Sequence, residues 1–362
     1  MLTFLVLTLT SFTPLTHATF TAPNLVAASV SGSLSGLKYT NVGANGFYMQ
    51  VVDMQPGTFP SCDVAEPCKQ VRKDVSGPLA PFDEDLTFNF RGPLNLFNLA
   101  VYSPSNSSGE TWKRVSSWTA NQKPDNLVFM NNMGGGKSGV WTICGGNSQS
   151  YANGDFTGTV ATPNEELHPG YLPPAKEINV MTATACDKDA NNCDGFFRGT
   201  ANEGWAGSKL LVVDYNMPSD ASALPAIWSL SGQIVRSAQY GCNCRGQGTG
   251  NVCAEGDIAE TLAPNSAQAI SEIYSYKGAT GSGNSFFARP TSGKATLMAI
   301  YDTTTDSITI QRLTQFDHSQ TQLSRSVIDA YINAPAKTVP FGTTKRASVD
   351  TLFKHRRRSR HY

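Results

Sequence analysis

Short runs of alternating apolar and polar residues, cut at near-regular intervals by Gly, Pro, Asn and Asp, fill the chain from about residue 45 to residue 315. That rhythm leaves few options but strands. Leu86, Phe88 and Phe90 alternate with Thr87, Asn89 and Arg91, and Gly92-Pro93 ends the run. Residues two apart in a strand share a face, so such a segment presents one apolar side and one polar side. Similar stretches are Phe47–Val52, Leu96–Tyr102, Asn126–Met130, Val140–Cys144, Ile178–Thr184, Lys209–Tyr215, Ala269–Tyr276, Lys294–Tyr301 and Ser307–Leu313. There is no βαβ rhythm and no internal repeat, and the one helical candidate is Arg325–Ile332. The pattern predicts an all-β sandwich, jelly roll or barrel. With 32 Gly, 20 Pro and only 15% charged residues, long solvent-exposed helices are excluded.

The first residues, to about Thr16, are apolar or hydroxyl-bearing and uncharged, and Thr16-His17-Ala18 closes them with small residues. They read as a secretory signal peptide cut after Ala18. Eight cysteines follow: Cys62, Cys68, Cys144, Cys186, Cys193, Cys242, Cys244 and Cys253. An even number behind an export signal reads as disulfides, whose pairing spacing alone does not fix. The rival, a metal site on Cys242, Cys244 and Cys253, lacks any nearby His. No later run approaches the roughly 18 apolar residues that cross a bilayer, so a soluble protein without a membrane span is expected.

The 28 Lys and Arg balance the 28 Asp and Glu. A formal charge of zero gives no sequence-wide reason to bind nucleic acid and suits a neutral, sparsely charged substrate. The hydrophilic stretch Ser103–Gly109, which holds the sequon Asn106-Ser107-Ser108, suggests a boundary near residue 110. The expected parts are a signal peptide (1–18), an N-terminal β-rich region (19–110), a β domain (111–333) and a basic disordered tail (334–362). The dibasic pair Lys345-Arg346 resembles a secretory processing site just ahead of the basic run 354–361.

Chemistry concentrates in Cys253-Ala254-Glu255-Gly256-Asp257-Ile258-Ala259-Glu260. In a regular strand Glu255 and Asp257 point one way and Glu260 the other. A β-bulge between Asp257 and Glu260 returns Glu260 to the shared face, and Gly256 and Ala259 are small enough to permit it. The two Glu Cα atoms would then lie roughly 13 Å apart, and side chains leaning together could bring the carboxyls to roughly 5–5.5 Å, the spacing of a retaining glycosidase. One carboxylate would attack the anomeric carbon and the other would protonate the leaving oxygen and then activate water. Asp257 between them would share protons with its neighbours. The bland alternative is an exposed acidic strand.

Other groups carry less. Gly134-Gly135-Gly136-Lys137-Ser138 lacks the first glycine of a phosphate loop, Asn131 standing there. Asp83-Glu84-Asp85 reads as a solvated turn, and no serine sits in a nucleophile elbow. Sugars pack their C–H faces on aromatic rings, which nominates Trp228, Tyr240 and Tyr274 as substrate-binding residues. No cofactor and no metal is called for.

Leu224-Pro225-Ala226-Ile227-Trp228-Ser229-Leu230, followed by the Glu-x-Asp-x-x-Glu of residues 255–260, resembles the laminarinase branch of the family-16 glycoside hydrolases. A closer resemblance is to the fungal cell-wall Tos-type ("target of SBF") glycosyl hydrolases. It is carried by Ser76–Pro81, Phe90–Leu94, Phe129–Asn132, Ser138–Trp141, Gly146–Ser148, Gln239–Cys242 and Arg289–Thr291, in order. The resemblance implies a concanavalin-like β-jelly-roll sandwich, here with an N-terminal β-rich extension, and a β-1,3-glucan substrate in the cell wall. The resemblance to the laminarinase branch maps Glu255 to the nucleophile, Asp257 to the assisting acid and Glu260 to the acid/base. Gly256 and Ala259 stand where the family places aromatic residues, and Tyr274 where it places a His. A retaining β-1,3-glucanase or glucan transglycosylase, secreted and acting as a monomer, is the expectation. The rival from another class is a non-catalytic glucan-binding or structural wall protein on the same fold.

Overall fold

The period-two runs do form strands, and the strands form two large sheets packed face to face. The structure is a computed structural model that describes residues 21–58, 61–134, 142–163, 167–245 and 252–342. The expected signal peptide, the Lys345-Arg346 pair and the basic run all lie outside the described residues, as does most of the glycine loop after Gly134.

In the first sheet the strands run Gln322–Ser324, Thr111–Thr119, Leu94–Pro104, Lys209–Asn216, Ala295–Asp302, Ser307–Leu313, Gly36–Thr40 and Lys337–Pro340. In the second the order is Thr159–Val160, Ser150–Ala152, Val128–Asn131, Glu177–Met181, Leu86–Arg91, Ala226–Ser231, Glu255–Glu260, Gln268–Ser275 and Gly278–Gly281. Pairing is antiparallel except between Gly36–Thr40 and Lys337–Pro340. Alternate residues of facing strands fill the space between the sheets. Leu86, Phe88 and Phe90 meet Leu99, Val101, Leu211, Val213, Leu297 and Tyr301 in one buried cluster. This is the β-jelly-roll sandwich that the alternation and the family resemblance imply.

Residues before 110 take two roles. Leu86–Arg91 and Leu94–Pro104 sit inside the sheets, each flanked on both sides by strands from later in the chain. Gly46–Met54 and Cys68–Val75 form a separate hairpin, the part that stands as an extension. Residues 105–110 are the turn between Leu94–Pro104 and Thr111–Thr119, with Asn106 exposed. The helix Arg325–Ile332 forms where the sequence places it, with the Ser324 hydroxyl capping its N-terminus by accepting from the Val327 amide. It lays Ile328, Tyr331 and Ile332 on the outer face of the first sheet, against Leu210, Val212, Met298 and Ile300. A second helix, Gly232–Ser237, has every residue buried and therefore shows no amphipathic period to find.

All eight cysteines are paired: Cys62–Cys144, Cys68–Cys242, Cys186–Cys193 and Cys244–Cys253. Cys242, Cys244 and Cys253 are thus spent on sulfur. The first two bridges tie the segment around the hairpin to the rest of the fold, where Val51 and Met54 pack on Ile143 and Ala238. Mass spectrometry of an unreduced peptide digest should recover these four linked pairs and only a trace of free thiol. Two fully alkylatable cysteines would contradict the arrangement.

Asp83-Glu84-Asp85 corrects the solvated-turn expectation. Asp85 pairs with Arg236 through both guanidinium nitrogens, at 2.5 and 3.2 Å. Glu84 takes Lys73 at 2.8 Å and the Tyr48 hydroxyl at 2.7 Å. Lys209, fully buried, donates to the carbonyls of Phe82 and Glu84. The charges face an interior lined with cations, and the turn links the hairpin to the sandwich.

Candidate active site

On the strand Glu255–Glu260 the register breaks between Asp257 and Glu260. Asp257 stands opposite Glu272 and Glu260 opposite Ile270, three residues against two. On the other side Asp257 faces Trp228 and Ala259 faces Ile227, again with one residue extra. The bulge expected from the sequence is therefore present. Ile258 and Ala259 both turn into the inter-sheet core, and Glu255, Asp257 and Glu260 stay half-buried on the opposite face. Gly256 faces inward too: a Cβ there would meet Ser229 Oγ at 3.0 Å and Phe82 at 3.5 Å. The two small residues that differ from the family pattern thus line the core and not the acidic face.

Register aligns the residues around the acids in rows across the sheet. One row reads Glu177, Arg91, Ala226, Glu260. Ala226 is small, and the Arg91 guanidinium passes over it to reach Glu260 Oε1 at 2.7 Å, with Glu177 Oε1 3.5 Å away on the other side. Its Nε donates to the Leu224 carbonyl at 2.5 Å, and its Cζ lies 5.7 Å from the centre of the Trp228 ring. Burial disfavours the charged guanidinium, but the Glu260 and Glu177 carboxylates outweigh that and raise its pKa.

The next row reads Asn89, Trp228, Asp257, Glu272. Burial first, then the carboxylates of Glu260, Glu255 and Glu272, push Asp257 well above the usual carboxylate range. It lies at the centre of an acidic cluster whose members disfavour a further negative charge. Tyr274, opposite Glu255, donates its hydroxyl to Glu272 at 2.6 Å. Burial and the Asp257 and Glu272 charges raise that hydroxyl far above its ordinary value.

The segment 239–245, pinned by Cys68–Cys242 and Cys244–Cys253, reaches both ends of the triad. Arg245 Nη1 lies 3.1 Å from Glu255 Oε1, its other nitrogen donates to the Gln239 carbonyl, and its cation sits 5.9 Å from the Tyr240 ring. The Tyr240 hydroxyl donates to Glu177, closing a chain through Arg91 to Glu260. Tyr240 is 58% exposed, with its hydroxyl bonded to Glu177.

Of the six residues singled out from sequence, the structure brings all to one face, in different states. The three acids share the floor, Tyr240 projects from the wall and Tyr274 is half-buried beside Glu272. Trp228 is only 5% exposed and packs with Leu230, Ile234, Val235 and Met130. Sequence reasoning missed Arg91, Glu177, Arg245 and Glu272. Arg91 had a signal, since it lies on the polar side of the most regular alternation and inside the quoted Phe90-Arg91-Gly92-Pro93-Leu94. The other three had none.

The sequence pattern of the family described as cell wall protein YJL171C/Tos1, C-terminal, matches residues 110–331, and its N-terminal counterpart matches residues 35–104. A relative from Schizosaccharomyces pombe named a probable circularly permuted 1,3-beta-glucanase is 37% identical over 246 residues, 63% of this chain and 47% of the relative. The TOS1 proteins of Candida albicans and Saccharomyces cerevisiae bear the same description. The first is 30% identical over 65% of this chain and 54% of its own, the second 32% identical over 63% and 50%. The chain spans about half the length of these curated relatives. No solved structure matches it.

Proposed function

The chain belongs to the cell wall protein YJL171C/Tos1 family, and on that premise we propose that it is a secreted glycoside hydrolase acting on cell-wall β-1,3-glucan by retaining double displacement. The observation that carries this reading is the bulge that gathers Glu255, Asp257 and Glu260 on one half-buried face of the sheet. Glu255 attacks the anomeric carbon. Glu260 protonates the departing oxygen and then takes a proton from the water that hydrolyses the glycosyl-enzyme. Asp257 hydrogen-bonds the nucleophile and lends or withdraws its proton as charge on Glu255 changes. The exposed Tyr240 ring offers a flat surface for a glucosyl face. Four disulfides and the cell-wall family support placement outside the cell.

One observation favours the non-catalytic reading: each flanking glutamate is engaged by a guanidinium, Glu255 by Arg245 and Glu260 by Arg91. Incubation of the purified protein with laminarin separates the two. Shorter oligosaccharides are expected, and longer ones would show transfer when a sugar hydroxyl replaces water. Binding without any change in chain length would establish the non-catalytic reading.

A further inference from the structure

We propose that Arg91 is a positioning residue with two seats, and that its move from Glu260 to Glu177 is what allows Glu260 to carry and deliver the catalytic proton. This rests on the acid/base role given to Glu260 above. Glu260 Oε1 holds Nη2 at 2.7 Å and Glu177 Oε1 lies 3.5 Å from Nη1, so one guanidinium stands between two carboxylates with the nearer contact on Glu260. Arg91 cannot leave the site. The bond from Nε to the Leu224 carbonyl anchors its inner end and leaves the two terminal nitrogens for the carboxylates, and a guanidinium stays charged under all working conditions. Its two partners are met by different nitrogens of the same group, Nη2 at Glu260 and Nη1 at Glu177.

A cation in hydrogen-bond contact favours the ionised form of a carboxylate, and a general acid must be protonated before it acts. Glu260 therefore needs that contact relaxed. Glu177 is the acceptor placed to take it, and its second oxygen is already steadied by the Tyr240 hydroxyl. The remaining charged and titratable groups facing this point are Asp257 and Glu255 on the same strand, Glu272 and Tyr274 on the next, and Arg245 from the 239–245 segment. In the first step the Glu260 proton passes to the glycosidic oxygen, the C–O bond breaks with its electron pair on that oxygen, and Glu255 forms the ester. In the second step water gives one proton to the Glu260 carboxylate and its oxygen to the anomeric carbon, while the ester bond breaks and its electron pair returns to Glu255 as a carboxylate. Arg91 keeps all its protons and returns to Glu260 whenever that side chain is an anion.

The test compares Glu177→Gln and Arg91→Gln in the full-length secreted protein, on laminarin and on an activated 4-nitrophenyl β-1,3-oligoglucoside. In Glu177→Gln the new amide still accepts from Tyr240 but no longer competes for the guanidinium. Arg91 then stays on Glu260, the basic limb of the kcat/KM profile moves down by about one pH unit, and laminarin slows about 10-fold at neutral pH while the aryl glycoside barely changes. Arg91→Gln should move the same limb upward. The proposal is overturned if Glu177→Gln slows both substrates equally or shifts the limb upward. Should Arg91→Gln fail to fold, Glu177→Gln alone decides. Glu260→Ala run in parallel separates the two claims. If it spares laminarin, the acid/base assignment falls. If it spares only the aryl glycoside and Glu177→Gln matches the unaltered protein, the two-seat mechanism alone falls.

Discussion

Glu255→Gln should remove turnover of laminarin and of an activated aryl β-glucoside alike, by roughly 10⁴-fold or more, because no other group can form the glycosyl-enzyme. Glu260→Ala should behave differently. Laminarin, whose leaving alcohol needs a proton, should slow by roughly 10²–10⁴-fold. The aryl substrate needs little protonation, so its first step should survive and the intermediate should accumulate for want of a base. Azide can attack that intermediate without base help, and two inversions then yield a β-glycosyl azide. Asp257→Asn should fall between these cases, since it perturbs proton sharing without deleting a reacting group. The measurements are a burst of nitrophenol and the anomeric configuration of the azide by NMR. Near-normal turnover by Glu255→Gln would sink the assignment. Rescue of Glu255→Ala to the α-anomer, with Glu260→Ala unaffected by azide, would exchange the two roles.

What could be read from the sequence follows from which forces are local. A strand announces itself by its own local pattern, so Leu86–Arg91 and Ser307–Leu313 were legible by alternation, Lys209–Asn216 by its apolar run, and the helix Arg325–Ile332 too. The bulge was legible for the same reason: three carboxylates in six residues can share a face only if one residue is extra. Partners supplied by the topology were not. Arg91 meets Glu260 across 169 positions, and Glu177 and Arg245 reach the site from two further segments. Nothing in a lone Glu or Arg says which row of a sheet it will join. The cysteine pairing failed to show for the same reason, with Cys68 joined to Cys242 across 174 positions. Trp228 shows the converse limit, since an aromatic beside the acids can be nominated for sugar stacking, but its enclosure by Ile234 and Val235 is a property of the packing. The acidic triplet 83–85 misled because its cations, Lys73, Lys209 and Arg236, include two that come from far downstream.

That triplet yields the largest expected effect on stability. Arg236 has no exposed surface, whereas Asp85 keeps 19% of its side chain at the surface, so the two partners are not equivalent. Besides Asp85, the guanidinium donates to the carbonyls of Asn202 and Asp194. Asp85→Ala leaves this cation buried without its counter-charge and should cost about 3–5 kcal/mol. Arg236→Met should cost less, since the carboxylate left behind reaches water and the new side chain fills much of the space. The double variant should be more stable than Asp85→Ala alone, because it removes the uncompensated charge together with its partner. Acidity provides a second readout. Burial alone would raise the Asp85 carboxyl, but Arg236 and the Gly204 amide outweigh burial and hold it below the usual range. A carboxyl depressed in the folded state contributes stability above its unfolded pKa of about 3.9 and loses that contribution as pH falls through the folded value. The difference between the parent and Asp85→Ala should therefore be constant from about pH 5 to 7 and shrink below about pH 4. Urea unfolding of the three variants across that range measures both effects. A double variant no more stable than Asp85→Ala, or a difference that widens as pH falls, would show that the pair does not hold this corner of the sandwich.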